Sequence, residues 1–289
     1  MRYYLRRNTL FIRGSFRAAS SGTKGGIGPA GTLVMHGIEA GEETDPERAL
    51  EDEIAREGLA KDFFGLPVRV PMERLCVLQY DFMTVFVTAS LDDGITIVAC
   101  SGEGMMDGGL IGTVITLTEA KSLALMRSGH DPSGTPADAV IVASEGEPVH
   151  ESGGPLTEPG RRIRESVLYG VPEALKRASG IEKRDAPSFF IFSRYEGDHW
   201  VEWRPEDCAY YPCHFQGQRC DFCYCPFYPC GDVSLGREVM SSSKDGMVWN
   251  CADCVLLHEP EVAGYLVKHP EASLRELKAL RKRGKENIT

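Results

Sequence analysis

Hydrophobic and polar residues alternate in short runs along the first hundred positions, broken by Gly, Pro, Asn and Asp, and this period of two predicts strands. Tyr3–Leu5 and Thr9–Ile12 flank Arg6-Arg7-Asn8, a hairpin turn with Asn in the left-handed position. Met83–Ser90 and Ile95–Cys100 read as a second hairpin around Asp92-Asp93-Gly94, and Asp138–Ala143 as a buried strand. In three places the period lengthens to that of a helix. Pro46–Glu57 is predicted helical, with Asp45 as its cap, Leu50 and Ile54 on one face and Gly58 at its end. Thr116-x-x-Glu119 is a capping box opening a second helix that Gly129 closes. Pro159–Ala178 carries Ile163, Val167, Val171 and Leu175 at four-residue intervals, and Gly180 stops it.

The polar run Lys183-Arg184-Asp185-Ala186-Pro187 places a domain boundary after this helix. Beyond it, strands Phe189–Phe192 and His199–Trp203 lead into a cysteine-rich segment, and Val262–Lys268 and Leu274–Arg283 read as short helices. The expected fold is therefore an α+β or mixed α/β sandwich enzyme domain over residues 1–182. A small metal-stabilised cysteine-rich domain over residues 187–289 follows it. No internal repeat is read in either part. The apolar stretch Leu75–Leu91 contains Asp81 and reads as sheet, so no transmembrane helix and no membrane partner are expected. The N-terminus lacks the apolar core of a signal peptide, which implies a cytoplasmic chain with reduced thiols. A formal charge of −10 argues against nucleic acid as a partner.

Of the ten cysteines, eight lie between Cys208 and Cys254, with His214 and His258 among and just after them. Short Cys-x2-Cys knuckles let tight turns present thiolate pairs to one tetrahedral ion. The expected arrangement is two structural zinc sites. Cys220, Cys223, Cys251 and Cys254 form the first; Cys213 or His214, with Cys225, Cys230 and His258, forms the second, and Cys208 can substitute. An iron–sulfur cluster is the alternative, and the two histidines at ligand spacing favour zinc.

Candidate chemistry in the first part sits on small-residue loops. Arg17, Ser20, Ser21, Lys24, Gly25 and Gly26 form a segment whose backbone can approach a ligand closely. No Gly-Lys-Ser/Thr follows it and no dinucleotide fingerprint is present, so no nucleotide cofactor is expected. His36 reads as a general base, as an axial ligand to a metal-containing substrate, or as a satisfied structural histidine. Ser133–Asp138 is a turn feeding a buried strand. Asp138 there is either catalytic or a turn-former, and Gly134 and Thr135 offer backbone N–H groups to a ligand. Gly153-Gly154-Pro155-Leu156-Thr157 precedes a helix that Thr157 caps.

With these residues laid out, the chain resembles the archaeal adenosylcobinamide amidohydrolases of cobalamin salvage. The resemblance rests on Phe16–Gly28 (FRAASSGTKGGIG), Thr118–Leu125 (TEAKSLAL), Ser133–Ser144 (SGTPADAVIVAS) and the GGPLTEPG helix lead-in, and covers roughly residues 1–180. The tail, from Phe189 through the cysteines to His258, is similar to a small cysteine-rich domain fused to that enzyme. The resemblance implies cleavage of the amide joining a corrinoid ring to its aminopropanol arm, giving adenosylcobyric acid and 1-amino-2-propanol. Amide hydrolysis needs an activated nucleophile, an oxyanion stabiliser and a proton donor. Ser20 or Ser21 with His36 and Asp138 are the expected catalytic residues, an activated water being the alternative to serine. Arg17, Gly25, Gly26, Gly134 and Thr135 are the expected substrate contacts. The competing readings are a corrinoid-binding protein without hydrolysis and a metal-dependent redox or regulatory protein.

Overall fold

The computed structural model describes residues 1–23, 25–38, 45–181, 186–194, 197–203, 208, 211–223, 225–240 and 247–286, and divides into two compact units, Met1–Trp203 and Arg204–Thr289. The first unit opens with strands β1 (Arg2–Arg6), β2 (Thr9–Ser20) and β3 (Gly26–Gly37), then helix α1 (Pro46–Arg56) and strand β4 (Phe63–Val68). Strands β5 (Cys76–Tyr80), β6 (Met83–Ser90), β7 (Gly94–Ser101) and the short β8 (Gly104–Met105) lead into helix α2 (Asp107–Arg127). Strands β9 (Ala139–Glu145) and β10 (Pro148–His150), helix α3 (Glu158–Ala178), and strands β11 (Ser188–Ser193) and β12 (His199–Trp203) complete it.

One sheet runs in the order β12-β11-β5-β6-β7-β9-β2-β3-β4, with β1 also on β2. It folds over on itself at a register shift between Arg13 and Phe16 of β2, the local bend that an extra residue produces. Alternation decides what each face meets. Leu10, Ile12, Leu33 and Met35 pack inward against Val77, Phe86, Val98 and Cys100 of the opposing strands. Phe11 and Val34, one residue out of phase, pack outward on Leu50 and Ile54 of α1. On the far side, Val85, Val87, Ile97, Ala99 and Val142 meet Leu110, Leu117 and Ala124 of α2 and Ile163, Val167 and Val171 of α3. The result is a four-layer α/β/β/α sandwich, the mixed α/β sandwich that the alternation of strand and helix periods implied.

Two sequence readings change. The sequence puts strands β11 and β12 beyond the boundary at 183–187, yet β11 pairs in parallel with β5 and β12 with β11, so both complete the first unit's sheet. A polar Pro-ended stretch is as good a crossover as a linker; Lys183, Arg184 and Asp185 themselves lie outside the described residues. The second helix starts nine residues ahead of its expected capping box. Thr116 is buried in mid-helix and its Oγ1 donates to the carbonyl of Gly153 at 2.9 Å. Gly108, Gly109 and Gly112 hid the helical period, because they serve close backbone packing: a Cβ on Gly109 would stand 2.9 Å from the His150 carbonyl oxygen. This helix is long and apolar enough to cross a membrane by length and composition; half of that window is buried against the sheet and α3.

The second unit holds the hairpin β13 (Arg237–Met240) and β14 (Met247–Asn250) and helices α4 (Pro260–Lys268) and α5 (Leu274–Glu286). Its apolar cluster is Leu256, Leu257, Val262, Leu266, Ala272 and Leu277, with Phe222, Phe227 and Leu235 against it. So small a core is the kind that additional staples support.

Candidate functional site

Register separates the expected catalytic residues. Ser20 pairs with Gly26 and Ile141, whereas His36 pairs with Thr9 at the opposite end of the same twelve-residue strand. Almost the whole length of β2 therefore lies between them. His36 Nδ1 lies 2.8 Å from Thr9 Oγ1 beside the β1–β2 turn, so it belongs to no catalytic set with the serines or Asp138. His36 stands in this structure as a histidine hydrogen-bonded to Thr9, at the far end of the strand from Ser20.

Ser20, Ser21, Gly25, Gly26, Gly134, Thr135 and Asp138 do share one end of the sheet, but their polar groups serve the fold. Ser21 Oγ accepts from Val140 N at 2.9 Å, and Ser20 Oγ from Gly22 N at 3.1 Å. The Asp138 carboxylate accepts from Ile95 N at 2.9 Å and Thr135 Oγ1 at 3.1 Å, and forms an ion pair with Lys121. Burial raises its carboxyl, but Lys121, the Ile95 amide and Thr135 outweigh that effect and hold it below the usual carboxylate range. Asp138 thus ties α2 to the starts of β7 and β9. Gly134, at φ +75°, leaves room for this pair, since a Cβ there would stand 2.3 Å from Asp138 Oδ2. Gly25 is likewise closed in by the carbonyls of Ser20 and Gly22, while Gly26, at φ +128°, faces open space. Lys24 lies outside the described residues.

The opposite end of β7 and β9 is built differently. These neighbouring strands run in parallel, and α2 and α3 both begin beyond their C-terminal ends, the place where α/β sheets expose backbone N–H groups to a ligand. Serines at the strand ends anchor the loop leading to α2: Ser101 Oγ donates to the Glu103 carbonyl at 2.6 Å, and Ser144 Oγ accepts from Met105 N at 3.0 Å. Short β8 pairs in parallel with β10, which fixes the next loop alongside it. These two loops bring Glu103 and His150 together, Nε2 to Oε2 at 2.7 Å, with His150 15% exposed and Glu103 45%. The imidazole stacks on Phe82 at 5.6 Å between ring centroids, and the Arg162 guanidinium lies 4.5 Å from the Phe82 ring. Arg162 is held in turn by Asp81 and Glu158 at 2.8 Å. Arg17 arrives at this end and pairs with Asp107 at 2.7 and 2.8 Å, which holds the Asp107 carboxyl low. No side chain caps α2, whereas Thr157 caps α3 by accepting from Gly160 N at 3.2 Å.

Chemically, this end offers a histidine oriented by a carboxylate, adjacent cations and the first-turn N–H groups of α2. Of the expected site residues only Arg17 stands here. Glu103 and His150 were missed because they lie 47 positions apart with no spacing rule to join them. Their one sequence signal was the pair of glycine-rich stretches, Gly102–Gly109 and Gly153-Gly154. Gly153 is required where it stands, since a Cβ would meet Thr113 Oγ1 at 1.8 Å and the Gly109 carbonyl at 2.5 Å. Gly153→Val should therefore cost about 1–3 kcal/mol, measured as a lower urea midpoint, and should displace His150 with it.

The cysteine-rich unit gathers its thiols in two neighbourhoods. Gln218 Nε2 donates to Cys213 Sγ at 3.1 Å and to Cys220 Sγ at 3.4 Å. Burial raises the Cys223 thiol, with further upward push from Cys220, Cys213 and Cys208. Cys225, Cys230, Cys251 and Cys254 line a cavity of about 230 Å³ with Phe227 and Leu257. Burial pushes the Cys225 thiol up to about 11, and Cys254, Cys251 and Cys230 add to that. The expected sets, Cys220 and Cys223 with Cys251 and Cys254, and Cys213 or His214 with Cys225, Cys230 and His258, draw on both neighbourhoods, and Cys223, His214 and His258 line the same cavity as Cys225, Cys230, Cys251 and Cys254. The His214 and His258 rings lie 4.6 Å apart, tilted by 37°, and His258 Nδ1 donates to the Arg219 carbonyl at 2.8 Å. Among the described residues, no three His, Cys, Asp or Glu side chains stand in a coordinating arrangement. All described cysteines are free thiols.

Comparison with known proteins adds the following. The family described as adenosylcobinamide amidohydrolase matches residues 92–183, and one described as a zf-like cysteine-rich small domain matches residues 199–281. An adenosylcobinamide amidohydrolase of Methanosarcina mazei is 32% identical over 196 residues, 61% of this chain and 98% of the relative. A probable cobalt-factor III C(17)-methyltransferase of Methanothermobacter thermautotrophicus is 53% identical over 53 residues, only 14% of its length. An uncharacterized protein of Methanocaldococcus jannaschii is 49% identical over 63 residues, 51% of its length. No solved structure matches the chain.

Proposed function

The chain belongs to the adenosylcobinamide amidohydrolase family, and from that premise we propose that it hydrolyses adenosylcobinamide to adenosylcobyric acid and 1-amino-2-propanol at the Glu103–His150 pair. The observation that supports this reading is a carboxylate-oriented imidazole at the C-terminal ends of two parallel strands, next to the uncapped first turn of α2. Glu103 fixes the tautomer and ring orientation of His150, which leaves the imidazole to handle protons. His150 takes a proton from water as its oxygen attacks the amide carbon. The negative charge that develops on the carbonyl oxygen meets the N–H groups at the start of α2. As the carbon–nitrogen bond breaks, the imidazolium returns the proton to the leaving amine. The products are a ring carboxylate and the free amino alcohol. Exposed Gly102, Gly108 in the first turn of α2 and half-buried Gly154 give a wide, amide-fringed ring backbone groups to lie against.

Incubating the full chain with adenosylcobinamide and analysing products by mass spectrometry tests the activity. Release of 1-amino-2-propanol with formation of the ring acid is expected. Binding without amine release would leave the reading of a non-catalytic corrinoid-binding protein, and the proposal would fall. A metal in the cysteine-rich unit would act structurally, since four protein ligands per ion leave no position for a reactive water.

A further inference from the structure

The cysteine-rich unit carries a duplication. Cys208-Ala-Tyr-Tyr-Pro-Cys213 and Cys225-Pro-Phe-Tyr-Pro-Cys230 are the same motif, Cys-x2-Tyr-Pro-Cys, and a Cys-x2-Cys knuckle follows each, Cys220–Cys223 and Cys251–Cys254. The local structures repeat as well. Tyr211 N donates to the Cys208 carbonyl and Tyr228 N to the Cys225 carbonyl, both at 3.1 Å. In the knuckles, Cys223 N donates to the Cys220 carbonyl at 3.2 Å and Cys254 N to the Cys251 carbonyl at 2.9 Å. The second copy differs by the β13–β14 hairpin inserted between its two halves.

We propose that each copy is one metal site, so that the unit holds two zinc ions in consecutive four-thiolate sites, Cys208, Cys213, Cys220 and Cys223, then Cys225, Cys230, Cys251 and Cys254. Two side-chain arrangements support this partition. One amide nitrogen, Gln218 Nε2, reaches both Cys213 and Cys220, joining the two halves of the first copy. All four thiols of the second copy line one cavity, whose wall Cys223, His214 and His258 also reach. Each set is a pair of short-spaced pairs, as in structural zinc sites, whereas cluster-binding chains place three cysteines on one loop with a distant fourth. Zinc binding displaces the remaining thiol protons to solvent and changes no oxidation state. The histidines are not ligands, because four thiolates complete each tetrahedron. Gln218 is a positioning residue for the first site. Its Oε1 accepts from His214 N at 2.9 Å and Phe215 N at 3.2 Å, which turns its NH2 group toward the sulfurs.

The inference is independent of the amidohydrolase reading, and its test uses metal counts. Native mass spectrometry of the full chain, purified under reducing conditions without chelator, should show two zinc ions and neither iron nor sulfide. The double variant Cys213→Ser with Cys223→Ser should keep one ion; Cys223→Ser with Cys251→Ser should keep none. An interleaved arrangement, with both knuckles on one ion, would leave one ion in that second variant and overturn the proposal. So would a brown protein containing iron and sulfide. The wild-type chain supplies a check without substitutions: loaded with one equivalent of zinc and alkylated, singly loaded molecules should protect four thiols of one copy. Protected sets that mix the copies would refute the partition. His214→Ala and His258→Ala should keep two ions. Gln218→Ala should keep two but bind the first about ten- to a hundredfold more weakly, read by competition with a chromogenic chelator.

Discussion

A His150→Ala chain should hydrolyse adenosylcobinamide about 10²–10⁴-fold more slowly than the parent, with an unchanged urea midpoint. The imidazole is the proton carrier in the proposed reaction, and it stacks on Phe82 at the end of the sheet without being part of the main apolar clusters. Glu103→Gln should lose less, because the amide still receives a hydrogen bond from His150 Nε2 while no longer stabilising an imidazolium. His36→Ala should retain the parental rate, as His36 is spent on Thr9 at a remote turn. Full activity in His150→Ala would remove the pair from the mechanism and return attention to the serines.

Asp138→Ala should destabilise the first unit by about 3 kcal/mol, because it strands the Lys121 ammonium in a site where that side chain is 8% exposed. The same change removes the acceptor for the Ile95 amide and for Thr135. Chemical denaturation followed by circular dichroism measures the loss, and kcat of the folded fraction should be unchanged. A catalytic Asp138 would show the reverse, a fallen kcat with stability intact. The pH dependence separates the cases further. The folded carboxyl is held below its unfolded value of about 3.9, so its contribution is present above that pH and is lost as pH falls through the folded value. The gap between parent and variant should therefore close below about pH 4 and stay constant toward neutrality. Gly134→Val should lower stability in the same way, by crowding this ion pair at a backbone angle that disfavours a branched residue.

The legibility of this chain followed the range of the interactions concerned. Asp45 at its cap, Gly58 and Gly180 at positive φ past their helices, and the alternation in β6 and β7 are local, and each lies where the sequence predicts. The early start of α2 escaped because its glycines answer a segment forty residues away, and local propensity carries no trace of that packing. The repeat around Tyr211 and Tyr228 is local and stands in the residues themselves, whereas the knuckle spacing taken alone pairs Cys220 and Cys223 with Cys251 and Cys254.

By itself the sequence determined the class of the fold, the family and the presence of a thiol-rich unit, because strand period, helix caps and Cys-x2-Cys spacing are properties of neighbouring residues. The tertiary structure alone decided which polar residues meet. A hairpin of two twelve-residue strands returns the chain to the end it started from, so Ser20 and His36, close in sequence terms, stand at opposite ends of β2 and β3. Parallel pairing of β8 with β10 brings Glu103 against His150 across 47 residues. Side chains that meet through sheet register and helix packing have no fixed spacing in the chain, and only the folded backbone supplies the distance between them.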